Sequence, residues 1–434
     1  MASTQIKIRN LQRKLYCVSK QKEGYQFYSL YDKTYRMDIL REAYQKSKAN
    51  RGKPGIDGKT FKDVEEAGVE TFLIDISNAL RERKYKPDII KRVLIPKANG
   101  KKRPLGISTI RDRVVQTACK IVMEPIFEPH LHSQSYGYRP KMRAQEAVQE
   151  IDKAIKCGYN HVYDADLSGY FDTIPHQALM KKIKKRISDK QFLSLILKFL
   201  TNPVQVPQEG GKTICASSTV GTPQGNCLSP LFANIYLNDF CLKIANRTPC
   251  KIITYADDFV IMHRTPFTRE QEVWFSECLS REGLKINPEK TKIVDMRRAK
   301  SNFDFLGFSF KRVKSFHGRG HYVKIQPSAK SQAKLKEKIS NIVKHRTSLK
   351  LDQLIARVNP VLRGWHNYFK GTGYPRQVFF KMDWFVVGRF YRWSKKRSQR
   401  GSKYLTQDAW KKLRYEKLIF LQPCFGRRSV KVAR

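Results

Sequence analysis

Residues 252–262 read Ile-Ile-Thr-Tyr-Ala-Asp-Asp-Phe-Val-Ile-Met. The β-type runs Ile252–Tyr255 and Phe259–Met262 flank Ala256-Asp257-Asp258, which predicts a hairpin with two carboxylates at its tip. Adjacent carboxylates repel each other and weaken a turn unless a cation sits between them. Magnesium, a hard and oxygen-loving ion, is the natural cation. A lone Asp-Asp pair is ordinarily a solvated turn, but a second acidic strand lies upstream. His161–Leu167 is β-type and contains Tyr163-Asp164-Ala165-Asp166, and residues two apart on a strand share a face. A strand-end carboxylate beside a hairpin-tip pair makes a three-carboxylate cradle for two metal ions. Such a cradle suits in-line displacement with pyrophosphate as the leaving group.

Outward from this hairpin the chain mixes helix and strand, an α+β reading. Ala43–Ala49 leads into the turn-rich Gly52–Gly58. Val93–Pro96 is a short β run followed by the turn signal Asn99-Gly100. Asp112–Phe127 has a helical period, and Ile174 onward is helical. Phe303–Phe310 reads as a strand, and the Gly-rich stretch Lys314–Tyr322 as a boundary. After Pro327 a helical pattern sets Leu335, Ile339 and Ile342 on one face and Lys330, Lys334 and Lys338 in a basic stripe.

The chain has 434 residues, enough for two or three domains. Lys and Arg number 85 against 38 Asp and Glu, a net charge of +47, while 41% of residues are hydrophobic. A core is therefore within reach, and a charge this large calls for an anionic partner, nucleic acid first. Residues 312–434 hold 31 Lys or Arg against five acids, and four of the five tryptophans, Trp365, Trp384, Trp393 and Trp410. Basic residues interleaved with rings suit single-stranded nucleic acid; most of these tryptophans are expected in the core of a small helical domain. No apolar run is long enough for a spanning helix, so no membrane partner is expected. Nine cysteines without a C-x-x-C pair argue against a disulfide framework or a four-Cys zinc site and for a reducing compartment such as the cytoplasm. The basic N-terminus leaves organelle targeting as an alternative. His130 and His132 lack zinc-like spacing and read as surface. Gly221–Gly225 is not a Walker loop, and Cys227 has no paired base.

Ordered blocks along the chain resemble the group II intron-encoded reverse transcriptases with maturase activity. They are Leu94-Ile95-Pro96-Lys97 with Lys102-Arg103-Pro104-Leu105-Gly106; Ser135-Tyr136-Gly137-Tyr138-Arg139-Pro140; Asp164 to Asp172; Gly221-Thr222-Pro223-Gln224-Gly225 running to Asn234; Tyr255-Ala256-Asp257-Asp258; Gly283 to Lys292; and Phe305-Leu306-Gly307-Phe308. Leu362-Arg363-Gly364-Trp365-His366-Asn367-Tyr368-Phe369 resembles the maturase, or thumb, signature. The resemblance covers residues 10–400. It implies a right-hand polymerase, with an N-terminal extension at 1–59, fingers and palm at 60–311, a linker at 312–326, an all-α thumb/maturase domain at 327–400 and a basic tail at 401–434.

The resemblance also implies a site. Asp166, Asp257 and Asp258 would bind two Mg2+, for which Mn2+ can substitute, with Leu167 lending only a carbonyl. Asp164 is expected to support them, and Asp172 to orient backbone. Tyr170, with Phe171 beside it, would lie under the deoxyribose and leave no room for a 2′-hydroxyl. Lys97 and Arg103 would hold the triphosphate, Gln224 the sugar or base, and Lys290 would donate a proton to pyrophosphate. Asn226 stands where the family commonly has Gly, and Asn tolerates a left-handed backbone. Lys330, Lys334, Lys338, Arg363, Lys395, Lys396 and Arg397 are candidate RNA contacts. The implied partners are a group II intron RNA, an RNA template–DNA primer duplex, target DNA and dNTPs; the oligomeric state is left open. No HNH-type endonuclease motif is found, so none is expected. The rival readings are a splicing cofactor that binds RNA without polymerising, a domesticated relative in defence or repair, and an RNA-directed RNA polymerase.

Overall fold

The structure is a computed structural model that describes residues 2–96, 100, 102–207, 213–217, 219–315, 318, 320–344, 348–397 and 409–422. Its described residues form two compact units that interleave along the chain. The first takes Met1–Met142, Ala165–Ile261 and Phe267–Thr291; the second takes Arg143–Asp164, Met262–Pro266 and Lys292–Arg434.

The chain opens with helices α1 (Ala2–Gln21), α2 (Tyr31–Thr34), α3 (Met37–Ala49), α4 (Phe61–Glu66) and α5 (Val69–Arg81). Strands β1 (Ile90–Pro96) and β2 (Lys102–Ile107) pair antiparallel, from Lys91 opposite Ile107 to Pro96 opposite Lys102. Helix α6 (Ile110–Phe127) follows; Thr109 caps it by accepting from the Asp112 N–H, satisfying a first-turn donor. Nearly all of α6 is buried, because helices from the N-terminal segment lie on it. Gln12 donates to the Ile121 carbonyl at 3.1 Å and Ser19 to that of Ile126 at 2.7 Å. The N-terminal helices α1 and α3 thus contribute to the first unit's core.

Helix α7 (Ala144–Lys156) and most of strand β3 (His161–Asp166) belong to the second unit; the chain returns to the first at Ala165. Helices α8 (Tyr170–Thr173), α9 (His176–Lys184) and α10 (Lys190–Leu200) come next, then β4 (Val204–Pro207) and β5 (Thr213–Ala216). These strands extend the first hairpin into a sheet of order β2-β1-β4-β5. The long, largely buried α11 (Ser229–Arg247) leads into strands β6 (Lys251–Tyr255) and β7 (Asp258–His263) and helix α12 (Arg269–Arg281).

In the second unit, β8 (Lys292–Asp295) pairs antiparallel with β3, His161 opposite Asp295. Phe303–Phe310 is two strands, not one: β9 (Asn302–Phe305) and β10 (Phe308–Lys314), broken by Leu306 at φ +50° and Gly307 at φ +79°. Strand β11 (His321–Pro327) pairs with β10 from Phe308 opposite Pro327 to Lys314 opposite His321. The stretch 312–326, expected as a linker, is therefore mostly hairpin. The alternation of Phe308, Phe310 and Ile325 toward the interior binds it to the unit, and its glycines mark the tip. From there the unit is helical: α13 (Ala329–Val343), α14 (Leu351–Phe369), α15 (Arg376–Arg397) and α16 (Ala409–Tyr415). Leu335 and Ile339 are buried as the helical period predicts, but Val343 replaces Ile342 as the third buried residue of that face. The expected tryptophan core holds only for Trp393. Trp384 is 44% exposed, and Trp365 and Trp410 are half-buried. Residues 401–408 and 423–434 of the expected tail lie outside the described residues. No helix among the described residues is long and apolar enough to cross a membrane.

Candidate active site

The β6–β7 turn is a strained turn of the first unit. Ala256 sits at φ +60°, a left-handed conformation that costs a residue with a Cβ and is found where the surroundings enforce it. The enforcement is visible. Ser135 bridges Thr254, the Tyr136 N–H donates to the Thr254 carbonyl at 2.9 Å, and a side chain at Gly137 would run into the Ala256 amide. The Ser135–Pro140 block thus clamps the hairpin. At its tip, the Leu167 N–H donates to the Asp257 carbonyl at 3.4 Å, which ties the end of β3 to the turn.

Asp166 and Lys290 form an ion pair, Nζ to Oδ2 at 2.6 Å. The Asn287 N–H donates to the Asp166 carbonyl at 2.8 Å and fixes the loop that brings Lys290 there. The bond to Asp166 raises the Lys290 ammonium above its ordinary pKa. Burial pushes the Asp257 carboxyl above the usual range; the charge of Asp166 adds to this, and Arg103 and Lys290 offset it. Among the described residues no three His, Cys, Asp or Glu side chains already form a metal-holding group, and the Lys290 ammonium covers Asp166. The donor chemistry nonetheless fits a hard divalent ion. Carboxylate oxygens are its preferred ligands, and Asp257, costly to ionise beside Asp166, is the kind of group an added cation relieves.

Beside this corner a second set of side chains comes together. Arg103 Nε donates to Gln224 Oε1 at 2.7 Å, and Gln224 Nε2 donates to Asp172 Oδ2 at 3.3 Å. Asp172 therefore holds a side chain, where sequence reasoning expected it to orient backbone. The turn bearing Gln224 is pressed onto β2. The Gly106 N–H donates to the Gln224 carbonyl at 2.6 Å, and Gly225, at φ +110°, lies so close to the Gly106 carbonyl that a Cβ would collide with it. Gly225 is thus the left-handed residue of this turn. Asn226 is not left-handed; it is buried, and its Oδ1 accepts from the Leu228 N–H at 2.9 Å. Arg103, Gln224, Gly225, Phe171 and Tyr138 line a cavity of about 850 Å³.

Tyr170 does not reach this cavity. It is 2% exposed, and its hydroxyl donates to the Ala233 carbonyl of α11 at 2.5 Å. Phe171, one residue on, lines the cavity and meets the Tyr138 ring edge-on at 6.2 Å. The expectation that Tyr170 underlies the sugar is corrected: the aromatic wall belongs to Phe171. Tyr138 itself was missed, although its block was legible. Burial and, after it, the charge of Asp257 raise its hydroxyl pKa.

Comparison with known proteins matches residues 95–310 to the family described as reverse transcriptase (RNA-dependent DNA polymerase), and residues 332–415 to the group II intron, maturase-specific domain. Protein YkfC of Escherichia coli is 32% identical over 68% of this chain and 85% of its own length. The chain belongs to the group II intron-encoded reverse transcriptases. The group II intron-encoded protein LtrA of Lactococcus lactis is 34% identical over 56% of this chain; the match spans 37% of LtrA. A chain of a partial Cas6-RT-Cas1–Cas2 complex is 24% identical, with a TM-score of 0.35, over 58% of this chain and 41% of that one.

In this reverse transcriptase the remaining candidate residues divide by unit. Lys97 lies outside the described residues, as does the side chain of Arg397. In the second unit Lys330, Lys334, Lys338, Arg363, Lys395 and Lys396 are all exposed, so their charges face solvent. His130 and His132, expected on the surface, are half-buried and structural. His130 Nε2 is 2.9 Å from Ser19 Oγ, and Arg186 Nη2 is 3.1 Å from its Nδ1. Burial and Arg186 depress the His130 pKa.

Proposed function

We propose that this chain copies RNA into DNA by adding deoxynucleotides to a primer 3′-hydroxyl, and that the RNA is a group II intron whose splicing it also assists. The observation that carries this reading is the first unit's pairing of a carboxylate corner with a polar bracket on one cavity wall. Asp166, Asp257 and Asp258 would hold the ions, two Mg2+ or Mn2+. When bound, such ions acidify the attacking hydroxyl and neutralise charge on the phosphates. Arg103 suits a phosphate oxygen with its fork of donors. Gln224, held from both sides, positions the sugar or base. Phe171 closes the space a 2′-hydroxyl would need. The primer oxygen bonds to the α-phosphorus as the bond to the bridging oxygen breaks. The primer proton passes to solvent, and pyrophosphate leaves and takes a proton from the Lys290 ammonium.

In this reading residues 60–311 are fingers and palm and 327–400 the thumb, and the exposed lysines of the second unit meet intron RNA or the template–primer duplex. Retrohoming would follow, with target DNA supplying the primer. The test is primer extension on an RNA template with Mg2+ and deoxynucleotides, comparing wild type with Asp257→Asn. Extension by the wild type and a loss of at least about a hundredfold in the variant is the expected result. Tight RNA binding with no extension by the wild type would overturn the polymerase reading in favour of an RNA-binding splicing cofactor.

A further inference from the structure

Tyr138 is held in a backbone conformation that its side chain disfavours. Its φ is +59°, in the left-handed region, where a bulky residue is an outlier and glycine fits without strain. The chain on either side of it is fixed. The Gly137 carbonyl accepts from Asn234 Nδ2 at 2.8 Å, and Gly137 lies against the Ala256 amide. After Tyr138 comes the buried side chain of Arg139. Its guanidinium donates to the His132 and Ser135 carbonyls, both at 2.8 Å, and twice to Glu128 Oε1, at 3.0 and 2.8 Å.

This strain secures no core packing, because Tyr138 is 44% exposed. A strained backbone that carries a large, half-open ring beside a reactive corner points to function rather than stability. The ring lines the same cavity as Arg103 and Gln224 and meets Phe171 edge-on, with centroids 6.2 Å apart and planes at 72°. Both values fall within the attractive geometry of aromatic pairs. Phe171 needs such a neighbour. It sits on α8, a helix of four residues that starts at the left-handed Gly169, and a helix this short holds itself together weakly. The ring of Phe171 is therefore steadied by the rings around it, and Tyr138 is the one whose own backbone is clamped.

We propose that Tyr138 is a positioning residue for sugar selection: its ring braces the Phe171 ring. The Ser135–Pro140 block then mounts two things at once, the carboxylate hairpin through Gly137 and the sugar wall through Tyr138. The proposal rests on the reading that Phe171 walls the sugar of an incoming deoxynucleotide. The contact is made by rings, so the Tyr138 hydroxyl is dispensable to it.

Primer extension by the full chain tests it, read as kcat/KM for a deoxynucleotide over that for the matching ribonucleotide. Tyr138→Phe keeps the ring and should stay within about twofold of the wild-type ratio. Tyr138→Ala removes the brace and should lower the ratio about fivefold, the scale of one aromatic pair. Tyr138→Gly separates the brace from the fold. Glycine relieves the left-handed strain, so this variant should melt no lower than Tyr138→Ala and still show the same loss. Hydrogen exchange at the Phe171–Thr173 amides, read without turnover, should quicken in the alanine and glycine variants and not in Tyr138→Phe. A ratio unchanged in Tyr138→Ala and Tyr138→Gly overturns the proposal, as does equal exchange in every variant. A ratio restored by glycine along with the melting temperature also overturns it, since the residue would then serve only the fold. A loss in Tyr138→Phe as large as in Tyr138→Ala overturns the brace in favour of the hydroxyl. Extension with an unchanged ratio removes the brace and keeps the polymerase reading; no extension by the wild type overturns that reading and the sugar-selecting role with it.

Discussion

Tyr170 and Phe171 are neighbours in sequence and face opposite surroundings. The first is anchored to α11 through its hydroxyl, and the second walls the cavity beside Gln224. A motif that offers two adjacent aromatics does not say which one turns inward; that is set by the short α8 and by Gly169, left-handed at φ +59°, which starts it. Phe171→Ala should therefore relax sugar selection, seen as ribonucleotide incorporation rising by about tenfold or more relative to deoxynucleotides, and, because the ring is only 7% exposed, lower stability by up to about 3–5 kcal/mol. Tyr170→Phe should keep sugar selection and lower stability by about 1 kcal/mol, because one buried hydrogen bond is lost while the Ala233 carbonyl stays in the α11 ladder. The reverse pattern would return the sugar wall to Tyr170. Gly225 supports a related prediction. Alanine there is strained at φ +110° and collides with the Gly106 carbonyl, so the Gln224 turn must shift. Gly225→Ala should raise the KM for deoxynucleotides about tenfold, the equivalent of about 1.4 kcal/mol, with a smaller change in kcat.

At the scale of elements, the strands around the carboxylates were legible because alternation, turn residues and acid placement agree. Ile252–Tyr255 and Phe259–Met262 fall on strands that the structure contains, and His161–Leu167 does so up to Asp166. Phe303–Phe310 misled because an apolar run hides a turn at Leu306-Gly307. The 312–326 stretch misled because glycines and lysines at a hairpin tip read like a linker. The Gln224 bracket was half legible: Arg103 and Gln224 were both named, but their union through Asp172 joins positions far apart in sequence. The anchor of the last described segment left no local signal at all. Asp383, on α15, is 2% exposed and accepts from the Leu421 and Gln422 N–H groups, both at 2.9 Å. Burial raises its pKa to about 6, against which those two bonds work. A carboxyl raised on folding holds its proton more tightly in the folded state. Its contribution to stability is then full below its unfolded pKa near 4 and is lost as pH rises through about 6. Asp383→Asn cannot titrate and keeps one acceptor. Its stability relative to wild type, read from melting temperatures, should therefore improve between about pH 4.5 and pH 7.5, by on the order of 3 kcal/mol at most. A difference that is constant with pH would mean that Asp383 does not titrate in this window.

Over the whole molecule the dominant quantity is the net charge of +47. Such a charge disfavours a compact chain through self-repulsion and is relieved by a polyanion. The cost is lowered locally where acids exist: Lys182 reaches Asp239 at 3.1 Å and Glu282 at 2.9 Å, and Arg139 reaches Glu128 at 2.8 Å. The stripe Lys330, Lys334 and Lys338 is exposed on α13 and has no such partner among the described residues. On the reading that the chain binds RNA, this stripe is offered to phosphates. RNA affinity should thus fall linearly in log–log form with salt, each neutralised phosphate of a single strand contributing a slope of about 0.7. Replacing the three lysines by glutamine should reduce the slope by about 2, one increment per lysine that meets a phosphate. It should leave the melting temperature nearly unchanged, because surface substitutions of this kind stay within about 0.5 kcal/mol. An equal slope in the triple variant would place the RNA backbone elsewhere on the chain and leave the stripe as a solubilising face. A reduced slope with intact primer extension would make α13 an anchor for RNA that the polymerising unit does not itself require.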